Sequence, residues 1–156
     1  MNVLIAPDSF KGSMTAETVT KVIAENLVLP PQSDIVRLPM SDGGEGFSET
    51  VTAACNGETV TVKVKNPHGK LIKASYGIIK DKVKTAVIDV ASASGLILIS
   101  KFDRDPVPSS TYGTGQMILD AVNKGCKKII LGLGGSATND GGVGMLSALG
   151  FSFKDK

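Results

Sequence analysis

Asp8, Ser9, Lys11 and Ser13 place a carboxylate, hydroxyls and a cation close together in the chain. Pro39-Met-Ser-Asp-Gly-Gly-Glu-Gly46 sets Asp42 and Glu45 around Gly43 and Gly44, and Ser110-Thr-Tyr-Gly-Thr-Gly115 combines Thr111 and Thr114 with Gly113. The densest stretch is Lys128-Ile-Ile-Leu-Gly-Leu-Gly-Gly-Ser-Ala-Thr-Asn-Asp-Gly-Gly-Val-Gly-Met-Leu-Ser-Ala-Leu-Gly150. Seven of the chain's 18 glycines fall in it: Gly132, Gly134, Gly135, Gly141, Gly142, Gly144 and Gly150. Glycine is costly to order, so such density belongs where backbone takes positive φ or approaches something closely. Hydroxyls, free amides and a lysine suit phosphate or carboxylate oxygens, and carboxylates suit a metal ion or a base.

Two common glycine motifs compete for the last stretch. A P-loop requires a lysine after its final glycine, and none follows here; Lys11-Gly12-Ser13 has the reverse order. The dinucleotide fingerprint is matched by Gly132-Leu-Gly-Gly-Ser-Ala137, with Asp155 at roughly the expected distance of 20 positions. That fingerprint needs a helix to start at its third small residue, where Asn139-Asp-Gly-Gly142 intervenes instead. Asn139 or Asp140 is placed to cap a short helix carrying Val143, Met145, Leu146 and Leu149.

The elements that must position these groups are legible from periodicity. Asn2 to Ala6 reads as a strand ended by Pro7, so Asp8, Ser9, Lys11 and Ser13 follow its carboxyl end, the edge where open parallel sheets bind ligands. A helix is expected over about 15–29 with Ala16, Val19, Ile23 and Leu27 inward and Glu17 four positions before Lys21, closed by Pro30-Pro31. A second strand from Ile35 to Leu38 makes a parallel β-α-β unit. Asp42 and Glu45 have the spacing of an acidic capping box for a helix carrying Phe47, Val51 and Ala54. That role and a metal or substrate role are equally open.

From Glu58 the texture changes. Thr59 to Val64 alternates with period two, Leu71 to Ile79 and Thr85 to Val90 follow as strands, and Asn66-Pro-His-Gly69 and Lys80-Asp-Lys82 are short connections that join antiparallel neighbours. The fold class is therefore α/β: a Rossmann-like parallel first lobe over 1–56 and a second mixed domain over 57–156 with an antiparallel meander, both incomplete. Ala91 to Gly95 is a run of small residues whose role stays open. Ser110 or Thr111 is placed to cap a helix with Met117, Ile118, Ala121 and Val122 inward, ended by Gly125, and Thr111, Gly113 and Thr114 then form a second potential anion site.

Composition narrows the classes. Aromatic residues are 4% of the chain, tryptophan is absent and the net charge of +2 is dispersed, which speaks against a nucleic-acid groove. Cys55 and Cys126 have no CxxC spacing and His68 stands alone in a turn, so neither a zinc site nor a histidine-dependent triad is indicated. No apolar run approaches the length of a membrane span, and a cytoplasmic protein is expected.

The glycine stretch becomes specific through resemblance. Gly132 to Leu146 closely resembles the signature of the bacterial glycerate kinases of the first type, which usually have alanine at the position of Val143. Ala6-Pro-Asp-Ser-Phe-Lys-Gly-Ser13, Pro39 to Gly46, Ala93-Ser-Gly-Leu96 and Ser110 to Gly115 resemble further blocks of that family in the same order. Asp89, where the family tends to have glutamate, and Tyr112, often arginine, depart from it. The resemblance implies the amino-terminal portion of a kinase that moves the γ-phosphoryl group of ATP to a hydroxyl of glycerate. Taken alone this portion is expected to be inactive, and either to self-associate as a homo-oligomer through its first lobe or to keep that lobe mobile. A ligand-binding lobe without catalysis and a dinucleotide-binding oxidoreductase are the other readings.

Phosphoryl transfer needs donors around the phosphates, Mg²⁺ on one or two carboxylates and a group at the attacking hydroxyl. The implied assignments are Asp8, Asp42 and Asp140 for metal and base roles and Lys11 for phosphate charge. Ser9, Ser13, Gly43, Gly44, Glu45, Thr111, Gly113, Thr114, Gly134, Gly135, Ser136, Thr138 and Asn139 are the substrate and phosphate contacts.

Overall fold

The computed structural model describes residues 1–154, so Asp155 of the dinucleotide spacing lies outside the described residues. The chain forms two compact units, Met1–Asp42 and Gly43–Lys156.

In the first unit β1 (Asn2–Ile5) pairs in parallel with β2 (Asp34–Arg37), Val3 beside Ile35 and Leu4 beside Val36, and α1 (Ala16–Asn26) connects them. Thr15 starts the helix by accepting the Thr18 amide on its hydroxyl at 3.2 Å. The buried stripe is Ala16, Val19, Thr20 and Ala24. It differs from the expected face, since Ile23 and Leu27 are 37% and 40% exposed. The row Ala16, Thr20, Ala24 follows i, i+4, i+8, and these small side chains let the helix lie close to its support. Thr20 is tolerated there because its hydroxyl donates to the Ala16 carbonyl at 2.7 Å. Lys21 approaches Glu25 at 3.9 Å rather than Glu17, an exposed pair that contributes little.

The second unit contains α2 (Phe47–Ala54), β3 (Glu58–Lys65), β4 (Leu71–Lys80), β5 (Lys84–Asp89), α3 (Ala91–Ser94), α4 (Tyr112–Asn123), β6 (Lys128–Gly132) and α5 (Val143–Ala148). Strand order is β3-β4-β5-β6: the first three form the antiparallel meander, and β6 returns in parallel beside β5 after α3 and α4. Alternate residues of β3, β4 and β5 (Val64, Ala74, Tyr76, Ile78, Ala86 and Ile88) meet Met117 and Ala121 of α4 in the core. Val122, expected inward, is 50% exposed, because the helix presents the Met117–Ala121 row.

The division into compact units at Asp42 and Gly43 differs from the expected domain boundary at 56 and 57. The helix α2 is tied to the later sheet by three features. Ser48 donates to Asp89 at 2.8 Å, the Gly57 amide donates to Thr52 O at 2.8 Å, and Gly77 lacks a side chain where Thr52 presses against β4. The acidic capping box is also not formed. The N-cap of α2 is Gly46 in the left-handed region, with no side-chain cap.

Candidate functional site

The second unit brings two glycine-rich segments into backbone contact. The Gly134 amide donates to Gly43 O at 2.9 Å, and a Cβ on Gly134 would stand 2.6 Å from the Gly44 Cα. A Cβ on Gly132 would stand 2.6 Å from both Gly43 O and the Phe47 ring. These glycines are required by close approach rather than by turn geometry.

A residue that sequence reasoning left without a role holds this arrangement. Asp89, 3% exposed at the carboxyl end of β5, accepts the Ser48 hydroxyl at 2.8 Å and the Ser92 hydroxyl at 2.7 Å on Oδ1, and the Gly46 amide at 3.2 Å on Oδ2. A buried carboxylate is tolerable only with such partners. The signal for it was an acid closing the apolar run Thr85–Val90 at the sheet edge where ligands bind.

Beyond Gly134 the loop is stitched to the segment after β5. The Leu96 amide donates to Gly135 O and the Ala137 amide to Ser94 O, both at 2.9 Å. The Ser136 and Thr138 hydroxyls lie 2.8 Å apart, and the Thr138 amide donates to Ser136 Oγ at 3.1 Å. The amides of Gly134, Ala137 and Thr138 are thus engaged within the protein. Among the described residues the amides of Gly135 and Ser136 have no partner, which narrows the expected anion-binding amides from the run Gly134–Thr138 to these two.

Asp140 is occupied. It accepts the Thr111 amide and hydroxyl, each at 2.8 Å on Oδ2, with the Gly142 and Gly144 amides at 3.1 Å. Burial alone would raise its carboxyl, but the bonds from Thr111, Gly142 and Gly144 outweigh burial and hold it below the usual carboxylate range. Its geometry is that of a staple between the starts of α4 and α5.

The second expected anion site, at the start of α4, is filled by packing. The Thr111 hydroxyl also accepts the Met145 amide at 2.9 Å, the wholly buried Thr114 pairs with Ser94 at 2.8 Å, and a Cβ on Gly113 would collide with Lys65 O. Lys65 Nζ stands 4.9 Å from the centre of the Tyr112 ring, so a cation neighbours the position where arginine was expected. Asn139 and Glu45 are exposed.

In the first unit Asp8, Ser9, Lys11 and Ser13 are exposed on the turn after β1. The Ser9 amide donates to Asp8 Oδ1 at 2.6 Å, and Phe10 and Met14 close the turn around Lys11 and Ser13. Asp42 is exposed and ends this unit. Among the described residues no group of three or more His, Cys, Asp or Glu side chains could hold a metal. Cys55 and Cys126 are free thiols, and among the described residues no helix is long and apolar enough to cross a membrane.

A family model described as "Glycerate kinase family" matches residues 3–156. The chain belongs to the glycerate kinase family. It is 48% identical to a glycerate kinase of Halalkalibacterium halodurans over 95% of this chain and 39% of that protein. It is 44% identical to glycerate 2-kinase of Escherichia coli K12 over 99% of this chain and 41% of that protein. A crystal structure described as glycerate kinase 2 from Salmonella typhimurium LT2 superposes with a TM-score of 0.80 at 43% identity, covering 96% of this chain and 41% of that one. The chain therefore spans about two-fifths of the length of these glycerate kinase relatives.

Proposed function

We propose that the protein is a glycerate kinase, and that this chain supplies the glycine-rich loop and part of the catalytic set for phosphoryl transfer from ATP to glycerate. In the reaction a hydroxyl oxygen of glycerate bonds to the γ-phosphorus of ATP, the bond to the bridging oxygen breaks, ADP leaves and the hydroxyl proton passes to a base. The observation that carries the reading is the loop Gly134–Thr138, fixed on both sides by backbone bonds, with the Gly135 and Ser136 amides unpartnered among the described residues beside the Ser136 and Thr138 hydroxyls. Fixed donors suit an anion whose charge grows during transfer.

Lys11 is proposed to neutralise phosphate charge and Asp8 to serve as base or Mg²⁺ ligand, with Asp42 as a second carboxylate; Ser9 and Ser13 add hydroxyls. Asp140 is withdrawn from the metal set because its oxygens are taken by Thr111, Gly142 and Gly144. A Mg²⁺ that arrives with nucleotide phosphates needs only one or two protein carboxylates, which the exposed Asp8 and Asp42 fit. When bound, the ion would offset charge on the phosphate oxygens. The cytoplasm is the proposed location, and glycerate and nucleotide are the proposed partners.

A hydride-transfer reading is disfavoured by one observation. The helix after the loop, α5, begins at Val143, well past Ala137 where a dinucleotide fold starts its helix. Glycerate-dependent release of ADP, with phosphoglycerate identified by phosphorus NMR, tests the proposal. Absence of glycerate-dependent turnover together with a saturable nicotinamide fluorescence signal would reverse it.

A further inference from the structure

Beside the loop, within the second unit, lies a cavity of about 250 Å³. Leu96, Ile99 and Pro106 give it apolar walls, Ser136 and Thr138 face it from the loop, and Arg104 is its cationic lining residue. We propose that this cavity is the seat of the substrate's carboxylate, with Arg104 as its counter-charge and the Ser136–Thr138 hydroxyl pair as its hydrogen-bond donor. The inference rests on the glycerate kinase reading and adds the residues that recognise the acid.

Size comes first. Pockets for drug-sized ligands begin at roughly 300 Å³, so this cavity does not enclose a nucleotide, whereas a three-carbon acid fits. Charge comes next. Among the described residues Arg104 has no ion-pair partner, although Asp103 and Asp105 flank it in sequence. Asp105, which also lines the cavity, turns its Oδ1 to the Val107 amide at 2.9 Å. The buried Ser109 donates to Asp105 O at 2.7 Å and fixes the segment that carries the arginine. An unpaired guanidinium held beside apolar walls is suited to a carboxylate, which it binds through two parallel donors.

Proton accounting supplies the remaining donor. Ser136 and Thr138 carry one hydroxyl proton each and use one between themselves, while Ser136 Oγ accepts the Thr138 amide. One hydroxyl proton is left for a ligand oxygen in either orientation of the pair.

The test is calorimetric titration of the chain and of its Arg104→Gln and Arg104→Lys variants with glycerate, glycerol, inorganic phosphate and ATP. Because Arg104 is exposed, circular dichroism should show both variants folded. The expected result is a loss of tenfold or more in glycerate affinity for Arg104→Gln, a smaller loss for Arg104→Lys, equally weak glycerol binding by all three proteins and ATP affinity unchanged within twofold. Unchanged glycerate affinity in Arg104→Gln would overturn the subsite and leave the kinase reading standing. Loss of phosphate or ATP affinity alone would make it a phosphate site and overturn the assignment. Binding of ATP without glycerate, or of neither, by the unaltered chain would also overturn the subsite, while the kinase reading is tested separately by ADP release from the complete enzyme.

Discussion

The Gly134 amide donates to the Gly43 carbonyl at 2.9 Å, tying together two glycines that stand 91 positions apart in the sequence. A Cβ on Gly134 would press on the Gly44 backbone at 2.6 Å, and backbone cannot step aside as a flexible side chain can. Gly134→Ala should therefore lower stability by about 2 kcal/mol, in the range of overpacking. Gly141→Ala has open space and only its positive φ of 60° against it, so about 1 kcal/mol is expected. Denaturant unfolding of both variants checks the order.

Asp140 makes stability depend on acid. Its folded carboxyl is held below the ordinary aspartate value of about 4, so its contribution is complete above that value and is lost as pH falls through the depressed folded one. Asp140→Asn should lower stability at pH 7 by roughly 1–3 kcal/mol, because both carboxylate oxygens accept N–H or O–H donors and the amide replaces one of them with a donor. It should also lose less than the parent on going to pH 3. Urea midpoints at the two pH values measure both effects; equal acid losses in parent and variant would contradict the staple.

Thr52 is 3% exposed and its hydroxyl has no partner among the described residues. Replacing an unsatisfied buried oxygen by a methyl of similar shape removes a desolvation penalty. Thr52→Val should raise stability by up to about 1 kcal/mol, seen as a higher Tm. A clear drop would mean that the hydroxyl is satisfied in solution.

Asp8 separates activity from stability. It is exposed, and an amide oxygen can still accept from the Ser9 N–H, so Asp8→Asn should leave stability within about 0.5 kcal/mol. In the complete enzyme, glycerate-dependent turnover should fall by about a hundredfold or more if Asp8 is a base or metal ligand. Paired thermal melts and ADP-release assays decide; near-normal turnover returns Asp8 to a turn residue.

Local patterns were legible where a single element decides the outcome. The parallel pairing of β1 with β2 and the meander from Glu58 both follow from the hydrophobic pattern and the short connections of adjacent elements. What escaped depends on distant partners. No periodicity shows that α2 is fastened to Asp89, or that the small face of α1 is the buried one. The same holds in the site. Hydroxyl-rich Thr111 and Thr114 resemble an anion site in sequence, but Asp140, Met145 and Ser94 take their hydroxyls in the fold. Arg104 lacked any motif and becomes noticeable only once the chain brings it beside Ser136 and Thr138.

The central claim is that the loop after β6 holds an anionic ligand through the Gly135 and Ser136 amides. The most direct measurement is a titration of nitrogen-15-labelled protein with glycerate and, separately, with Mg-ATP, following the amide resonances of Gly134 to Thr138. The account predicts saturable shifts at Gly135 and Ser136 with at least one of these ligands and much smaller shifts at Gly134, whose amide stays on Gly43. Unmoved Gly135 and Ser136 resonances at saturating concentrations of both ligands would contradict it.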